Sequence, residues 1–157
     1  MVIVGSLYFW HCVQTYNTDW HFIDNVNFVI HESGHIIFSF FGEFIKIAAG
    51  SGFQVLLPFS IALYFFFTRQ KISASFCLMW MGQSLMNVSI YANDAIRMQL
   101  PLVGGDNVIH DWNYILSSLG ILQYTKTISQ SIYVLGIVAI FVGTFFALYY
   151  AWTEKVQ

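Results

Sequence analysis

The pattern of apolar and polar positions divides the chain into four long apolar stretches separated by short polar turns. Each long stretch carries few charges and approaches the roughly 20 residues that an α-helix needs to cross a bilayer. Two further apolar stretches are too short to cross, and we expect them to lie at the membrane interface or to re-enter. The sequence therefore predicts an all-α, polytopic helical bundle that forms a single membrane-embedded domain over residues 1–157. The four predicted transmembrane helices cover 25–41, 47–68, 72–98 and 127–152, and the short segments cover 2–13 and 111–122.

Glycine-containing or polar segments separate these helices. Gly42 is predicted to end or bend the first helix, and the glycine-rich segment 48–52 permits tight turning or close backbone approach. The turn at 69–71 contains an Arg and a Lys, which the positive-inside rule places on the cytoplasmic side. Pro101 and the Gly-Gly-Asp-Asn sequence at 104–107 predict a turn cluster after the third helix.

The composition supports a membrane location. Charged residues make up 9% of the chain, whereas soluble domains contain about 25%. We therefore expect a multi-pass protein of a bacterial inner membrane, with the lipid bilayer as its main partner. A net charge of −2 with six Lys and Arg residues argues against a nucleic-acid partner, which requires a basic surface. Cys12 and Cys77 lie in apolar segments and are interpreted as small buried residues.

The most informative stretch is His-Glu-Ser-Gly-His at 31–35, inside the first predicted helix. His31 and His35 are four residues apart, so both imidazoles lie on one helix face and can reach one metal ion. Glu32 is placed to take a proton from a water molecule at that ion, as in the HExxH arrangement of zinc metallopeptidases. Ionisable groups are expensive inside a membrane and usually functional there. The motif therefore predicts a bound zinc or other divalent transition metal, with a purely structural polar cluster as the alternative.

The third predicted helix carries a second set of polar residues. Gln83, Asn87, Tyr91 and Asp94 are spaced by four, four and three residues, which places them on one face. Such a stripe is expected to face the bundle interior rather than lipid. We interpret Gln83 and Asn87 as interhelical hydrogen-bonding residues, or as support for the metal ligands or the substrate. Gln54 on the second helix is a candidate for the same supporting role.

Catalytic zinc requires a third protein ligand besides the two histidines. The residues after His35 exclude the metzincin extension, because the further Gly and His are missing. The remaining candidates are Asp94 first, then His110, then Asp111, the last two on a segment that can fold over the site. His110 and Asp111 are also candidates for an oriented acid or base, or for support of a ligand. For Asp94 the alternative is pairing with Arg97 or exposure at the interface.

The motif at 31–35 on a membrane helix resembles the HExGH signature of site-2-protease-type intramembrane metallopeptidases. In that family a later membrane helix supplies an Asp after an upstream Asn, and Asn87 and Asp94 are similar in order and spacing. Asp94 is followed here by Ala95, where the family has Gly. The resemblance implies hydrolysis of a membrane-embedded or membrane-adjacent peptide bond. The stretches GSGFQVLLP, GQSL, YANDA and HDWNYIL also resemble a group of bacterial multi-pass membrane proteins, which implies no activity.

The sequence leaves three functions open. The first is a zinc metallopeptidase-like hydrolase with Glu32 as general base and a membrane peptide as substrate. The second is a non-catalytic accessory subunit of a larger membrane complex, in which the His-Glu-His cluster is a structural metal site or a relic. The third is a zinc-dependent lipid amidase, which generally has more helices than this chain. A di-iron desaturase is disfavoured, because its histidine boxes need more than the five histidines present.

Overall fold

A computed structural model of the chain describes residues 2–100 and 109–153. All regular secondary structure in these two ranges is helical, as predicted. The α-helices are α1 (Val2–Gln14), α2 (Phe22–Ile37), α3 (Glu43–Phe67), α4 (Lys71–Asn93), α5 (Asp111–Ser118) and α6 (Thr125–Thr153). Two 3₁₀ turns, Ser39–Phe41 and Leu122–Tyr124, precede α3 and α6. The turn cluster predicted at Pro101 and 104–107 lies outside the described residues.

The helix that carries the motif starts and ends earlier than the predicted 25–41. It starts at Phe22 because the side chain of Asp24 caps its first turn: Oδ2 of Asp24 accepts a hydrogen bond from the backbone N–H of His21 at 2.7 Å. After α2 the chain forms the 3₁₀ turn Ser39–Phe41. The next residue is Gly42, whose φ of 93° lies in the left-handed region that glycine adopts readily. Gly42 thus ends the 3₁₀ turn rather than the motif helix, which already ends at Ile37, and α3 begins at the next residue.

Helix α4 also ends earlier than the predicted 72–98. Its last residue is Asn93, and the next residue, Asp94, stabilises a different local structure. The carboxylate of Asp94 accepts hydrogen bonds from the backbone N–H groups of Gln99 and Leu100, both at 2.9 Å. These bonds fold the chain back over the end of α4, and they satisfy N–H groups that a longer helix would have used itself.

The core forms around α4, which packs against α6, α3 and α1. Gly82 and Gly136 let α4 and α6 approach closely, because a Cβ on Gly82 would lie 2.6 Å from the carbonyl oxygen of Gly136. Met79 and Ile140 fill the space beside this contact and are fully buried. From the sequence, Gly136 and Gly143, seven residues apart, are predicted to allow close approach of the last helix, and the close contacts at both glycines confirm this.

Two helical segments of the described residues are long and apolar enough to cross a membrane, judged by length and composition. They are α3, with 25 residues, and Leu122–Thr153, which contains α6. Helix α2 has 16 residues, or about 24 Å at 1.5 Å per residue, less than the roughly 30 Å hydrocarbon core. Two candidate spans are thus established within these ranges, and the count of four stays a prediction.

Candidate metal centre

The two histidines of the motif lie together on one face of α2. The imidazole centroids of His31 and His35 are 4.8 Å apart, as expected for side chains one helical turn from each other. Glu32 lies beside them, and one possible ligand atom from each of the three residues lies within 4.8 Å of the others. All three side chains are partly buried. This group can hold a metal ion, as the motif predicted.

The glycine of the motif brings these side chains close to α3. A Cβ on Gly34 would collide with the carbonyl group of Ala49 and would lie 3.0 Å from Cβ of Phe53. The backbones of α2 and α3 therefore meet at Gly34, and a larger residue there would push them apart. The fourth position of the motif is small because the two helices pack through it.

Both imidazoles direct Nδ1 toward acceptor atoms of α3. Nδ1 of His35 lies 2.9 Å from the carbonyl oxygen of Lys46, and Nδ1 of His31 lies 3.2 Å from Oε1 of Gln54. A carbonyl oxygen only accepts hydrogen bonds, so Nδ1 of each ring carries its proton. With the proton on Nδ1, the neutral form of either ring has an unprotonated Nε2, which is the form that binds a metal.

Gly50 of α3 leaves an open space between the two rings. A Cβ built on Gly50 would lie 2.5 Å from Nε2 of His35 and 2.7 Å from Nε2 of His31. Both nitrogens therefore face one point that any other residue would fill. The neighbouring Gly52 shows no such constraint, since its Cβ would meet no atom within 4 Å. The glycine-rich segment 48–52 thus provides close approach at Gly50 and lies within a continuous helix rather than at a turn.

Asp111 brings a carboxylate to the same two nitrogens. Its Oδ2 lies 2.9 Å from Nε2 of His31 and 3.2 Å from Nε2 of His35. Burial raises the pKa of the Asp111 carboxyl, but its hydrogen-bonding contacts with the two histidines lower the pKa by more, so it lies below its ordinary value. Asp111 is therefore ionised at neutral pH and available as a ligand.

Two hydrogen bonds hold the start of α5, and with it Asp111, over the site. Nε1 of Trp112 donates to Oγ of Ser51 on α3 at 3.0 Å. Nδ2 of Asn113 donates to the carbonyl oxygen of Ala95, just after α4, at 2.8 Å. The carboxylate is thus positioned by contacts to two other elements of the bundle.

The residue ranked first for the third ligand lies apart from the imidazoles. The carboxylate of Asp94 is hydrogen-bonded to the chain that follows α4, as described above. Nδ1 of His110, the second candidate, lies 3.9 Å from Oδ2 of Asp94, and no contact joins His110 to either motif histidine in the described ranges. Asp111, ranked third, is the carboxylate that contacts both imidazoles. The geometry therefore favours Asp111 over Asp94, whose carboxylate binds the chain beyond the end of α4, and the identity of the third ligand stays a prediction.

The three amide residues predicted to support the site lie in the buried interior. Gln54 contacts His31 directly, and its Nε2 donates to Oδ1 of Asn87 at 2.8 Å. Asn87 and Gln83 both donate in turn to Oδ1 of Asp24. Sequence reasoning missed Asp24, because an acidic residue at the start of a helix is usually a cap. Its place among buried amides is set by tertiary packing alone.

A cavity of about 840 Å³ opens beside the cluster. Glu32, His31, His35 and Asp111 all line it, so a substrate in the cavity reaches the site. Most of its other walls are apolar, and Lys46 and His110 lie among its polar residues. The apolar lining residues include Trp20, Phe28, Ile47, Leu100, Ile109 and Trp112.

The donor set fits a tetrahedral divalent metal such as zinc. Two imidazole nitrogens and one carboxylate oxygen are the three protein ligands of many catalytic zinc sites, with a fourth position left open. At zinc–ligand bonds of about 2.0–2.1 Å, tetrahedral ligands lie roughly 3.3 Å from each other. The distances of 2.9 and 3.2 Å from Asp111 to the two histidines are close to that separation.

Comparisons of the chain with protein-family models, curated protein sequences and solved structures found no match. What the site does is therefore inferred from its own geometry and chemistry.

Proposed function

We propose that this chain is a membrane-embedded, zinc-dependent hydrolase of the metallopeptidase type, with Glu32 as its general base. The observation that carries the proposal is the convergence of Nε2 of His31, Nε2 of His35 and Oδ2 of Asp111 beside Gly50. In neutral rings with the proton on Nδ1, all three atoms carry lone pairs, and a cation between them would relieve their repulsion. Two imidazolium ions with centroids 4.8 Å apart would also repel, which favours one metal ion over two added protons.

The roles of the side chains follow from this arrangement. When bound, zinc polarises a carbonyl group and lowers the pKa of a water molecule. Glu32 is next to His31 in sequence and lines the cavity, so its carboxylate is available to take the proton from that water and return it to the leaving group. His110 lies on the cavity wall, where its imidazole is available to hydrogen-bond a substrate carbonyl.

The substrate class follows from the cavity. Its walls are largely apolar and its volume of about 840 Å³ accommodates several side chains. An apolar peptide segment that unwinds at the site fits these walls, and the polar side chains around the metal would satisfy its backbone groups. We therefore propose a membrane-embedded or membrane-adjacent peptide bond as the target, in line with the resemblance to site-2-protease-type enzymes. The third ligand on α5 is a departure from that family, in which a membrane helix supplies it.

The proposal includes a four-helix polytopic arrangement of α2, α3, α4 and α6 in a bacterial inner membrane. Within the most apolar windows of the two candidate spans, 28% of the residues are buried, whereas a core helix of a soluble protein would be mostly buried. Large apolar side chains cover the exposed faces of these spans, which suits contact with lipid tails. Examples are Leu56, Phe59 and Leu63 on α3, and Leu135, Val138, Phe141 and Phe145 on α6.

The function is tested with the variant Glu32→Gln and the matched control Glu43→Gln, since both glutamates line the cavity. Purified proteins in detergent micelles are incubated with a mixture of labelled apolar peptides of about 20 residues, the length of a membrane span. We expect Glu32→Gln to retain its metal and lose cleavage, and Glu43→Gln to keep both. Equal cleavage by the wild type and Glu32→Gln would overturn the general-base role. Retained metal with no cleavage by the wild type would instead favour an accessory subunit.

A further inference from the structure

A buried carboxylate lies two amide side chains away from the candidate metal ligand His31. Asp24 is 4% exposed, and four donors surround its carboxylate. Oδ2 accepts from the backbone N–H of His21 at 2.7 Å and lies 3.1 Å from Nδ1 of the same residue. Oδ1 accepts from Nε2 of Gln83 at 2.6 Å and from Nδ2 of Asn87 at 3.2 Å. One oxygen therefore caps α2, and the other faces the buried amides.

The charge of Asp24 determines the direction of every hydrogen bond between it and His31. An ionised carboxylate only accepts, so Asn87 directs its NH₂ group to Asp24 and its oxygen to Gln54. Gln54 then donates its NH₂ group to Asn87 at 2.8 Å and turns Oε1 toward Nδ1 of His31. His31 must donate from Nδ1, so the neutral ring presents an unprotonated Nε2 at the Gly50 space.

A second branch of the network has the same direction. Nε1 of Trp80, which only donates, bonds to Oδ1 of Asn27 at 2.8 Å. Asn27 donates in turn to Oε1 of Gln83, and Gln83 donates to Asp24. Both branches therefore point toward the same carboxylate, and the orientations of the four amides and the carboxylate are mutually consistent.

We propose that Asp24 is a positioning residue for the metal centre, which acts through Asn87 and Gln54 to hold His31 with its proton on Nδ1. The proposal rests on the proposed metal site. In a metal-binding histidine, the ring nitrogen that does not bind the metal commonly donates a hydrogen bond to a carboxylate or a carbonyl oxygen. Loss of that hydrogen bond weakens metal binding. Here the carboxylate acts over two amides, and His35, which donates to the backbone oxygen of Lys46, does not share this network.

The hydrogen bonds that lead from Asp24 through Asn87 and Gln54 to His31 form a relay. The substitution Asp24→Asn tests the direction of these hydrogen bonds. The oxygen of the new amide can still cap α2, so its NH₂ group then faces the NH₂ groups of both Gln83 and Asn87. Asn87 and Gln54 would rotate, and Gln54 would present an NH₂ group to Nδ1 of His31, which favours the proton on Nε2. We expect a loss of about 10- to 100-fold in zinc affinity, measured by competition with a chelator. In zinc-loaded protein with ¹⁵N-labelled histidine, the Nδ1–H signal of His31 should shift or vanish, while that of His35 stays in place.

A second variant moves the carboxylate along the relay. In Asp24→Asn with Gln54→Glu, the new carboxylate accepts directly from Nδ1 of His31 and from Asn87. We expect this double variant to recover zinc affinity to within about threefold of the wild type, and the His31 signal to return. Unchanged zinc affinity and an unchanged His31 signal in Asp24→Asn would overturn the proposal. So would failure of the double variant to regain affinity while remaining folded. A wild type that binds no zinc would overturn the metal site itself, so the two failures are distinguishable.

Discussion

Replacing Gly50 with Ala tests whether the space between the two motif histidines holds a metal ion. The added Cβ would lie 2.5 Å from Nε2 of His35 and 2.7 Å from Nε2 of His31. Carbon atoms in contact are normally about 3.5–4.0 Å apart, so the rings would have to retreat by about 1 Å. Metal–ligand distances tolerate changes of only about 0.2 Å. At least one histidine is therefore expected to stop binding the ion.

The expected loss of affinity is large. Changes to residues that support a ligand weaken metal binding by about 10- to 100-fold. Removing a ligand itself should exceed that range, so we expect Gly50→Ala to lose more than about 100-fold, which is about 2.8 kcal/mol at 1.4 kcal/mol per tenfold. The fold should survive, because Ala is favoured over Gly inside a helix by about 1 kcal/mol.

The assay compares Gly50→Ala with Gly52→Ala, a substitution on the same helix. A Cβ at Gly52 meets open space, so this control gains the same helix preference without filling the site. Both variants are purified in detergent, analysed for bound metal by mass spectrometry and titrated with zinc against a chelator. We expect Gly52→Ala to match the wild type. A Gly50→Ala variant that binds one zinc per chain with wild-type affinity would refute the assignment of this space to the metal.

Three further outcomes are expected. Asp111→Ala should lose stoichiometric metal while Asp94→Ala retains it, measured as metal per chain after purification; the opposite result would restore Asp94 as the third ligand. Removal of the metal by a chelator should lower the thermal unfolding temperature reversibly, because free metal at 100 times its Kd stabilises the folded state by about 2.7 kcal/mol; an unchanged unfolding temperature would speak against binding to the folded chain. Gly82→Ala should lower the free energy of unfolding, measured in detergent, by about 1–3 kcal/mol. The reason is that its Cβ would lie 2.6 Å from the backbone oxygen of Gly136. A variant with wild-type stability would mean that α4 and α6 separate easily.

The motif could be placed from the sequence because its geometry is local. A spacing of four residues on a helix brings His31 and His35 together whatever the rest of the chain does. The all-α class was also predictable, because long apolar stretches with few charges, separated by short polar turns, indicate helices without reference to tertiary contacts. Close packing at Gly136 also followed from residue size.

The choice between Asp94 and Asp111 as a candidate third ligand depends on where α4 ends, which the sequence does not show. The predicted helix extended to residue 98 and carried Asp94 on its polar face. The helix instead ends at Asn93, and the Asp94 carboxylate binds the backbone beyond it. The signal that could have favoured Asp111 is its place at the start of a short helix, beside a Trp and an Asn that anchor it to α3 and the end of α4.

The relay from Asp24 to His31 could not be predicted from the sequence either. Its residues come from three helices, and the two residues in each successive contact are 23 to 63 positions apart in the sequence. Periodicity showed that Gln83 and Asn87 face inward, but it does not reveal which buried group an amide meets. Only the packed structure joins the amides to a carboxylate at one end and an imidazole at the other.

X-ray absorption at the zinc edge of the purified wild-type protein tests the central claim most directly. One zinc per chain with two imidazole nitrogens at about 2.0 Å and a carboxylate oxygen at about 2.0–2.2 Å is the predicted result. The imidazole scattering should fall in His31→Ala and in His35→Ala. A wild-type protein with no stoichiometric metal, or with a metal whose surroundings lack imidazole, would contradict a metal centre at His31, His35 and Asp111.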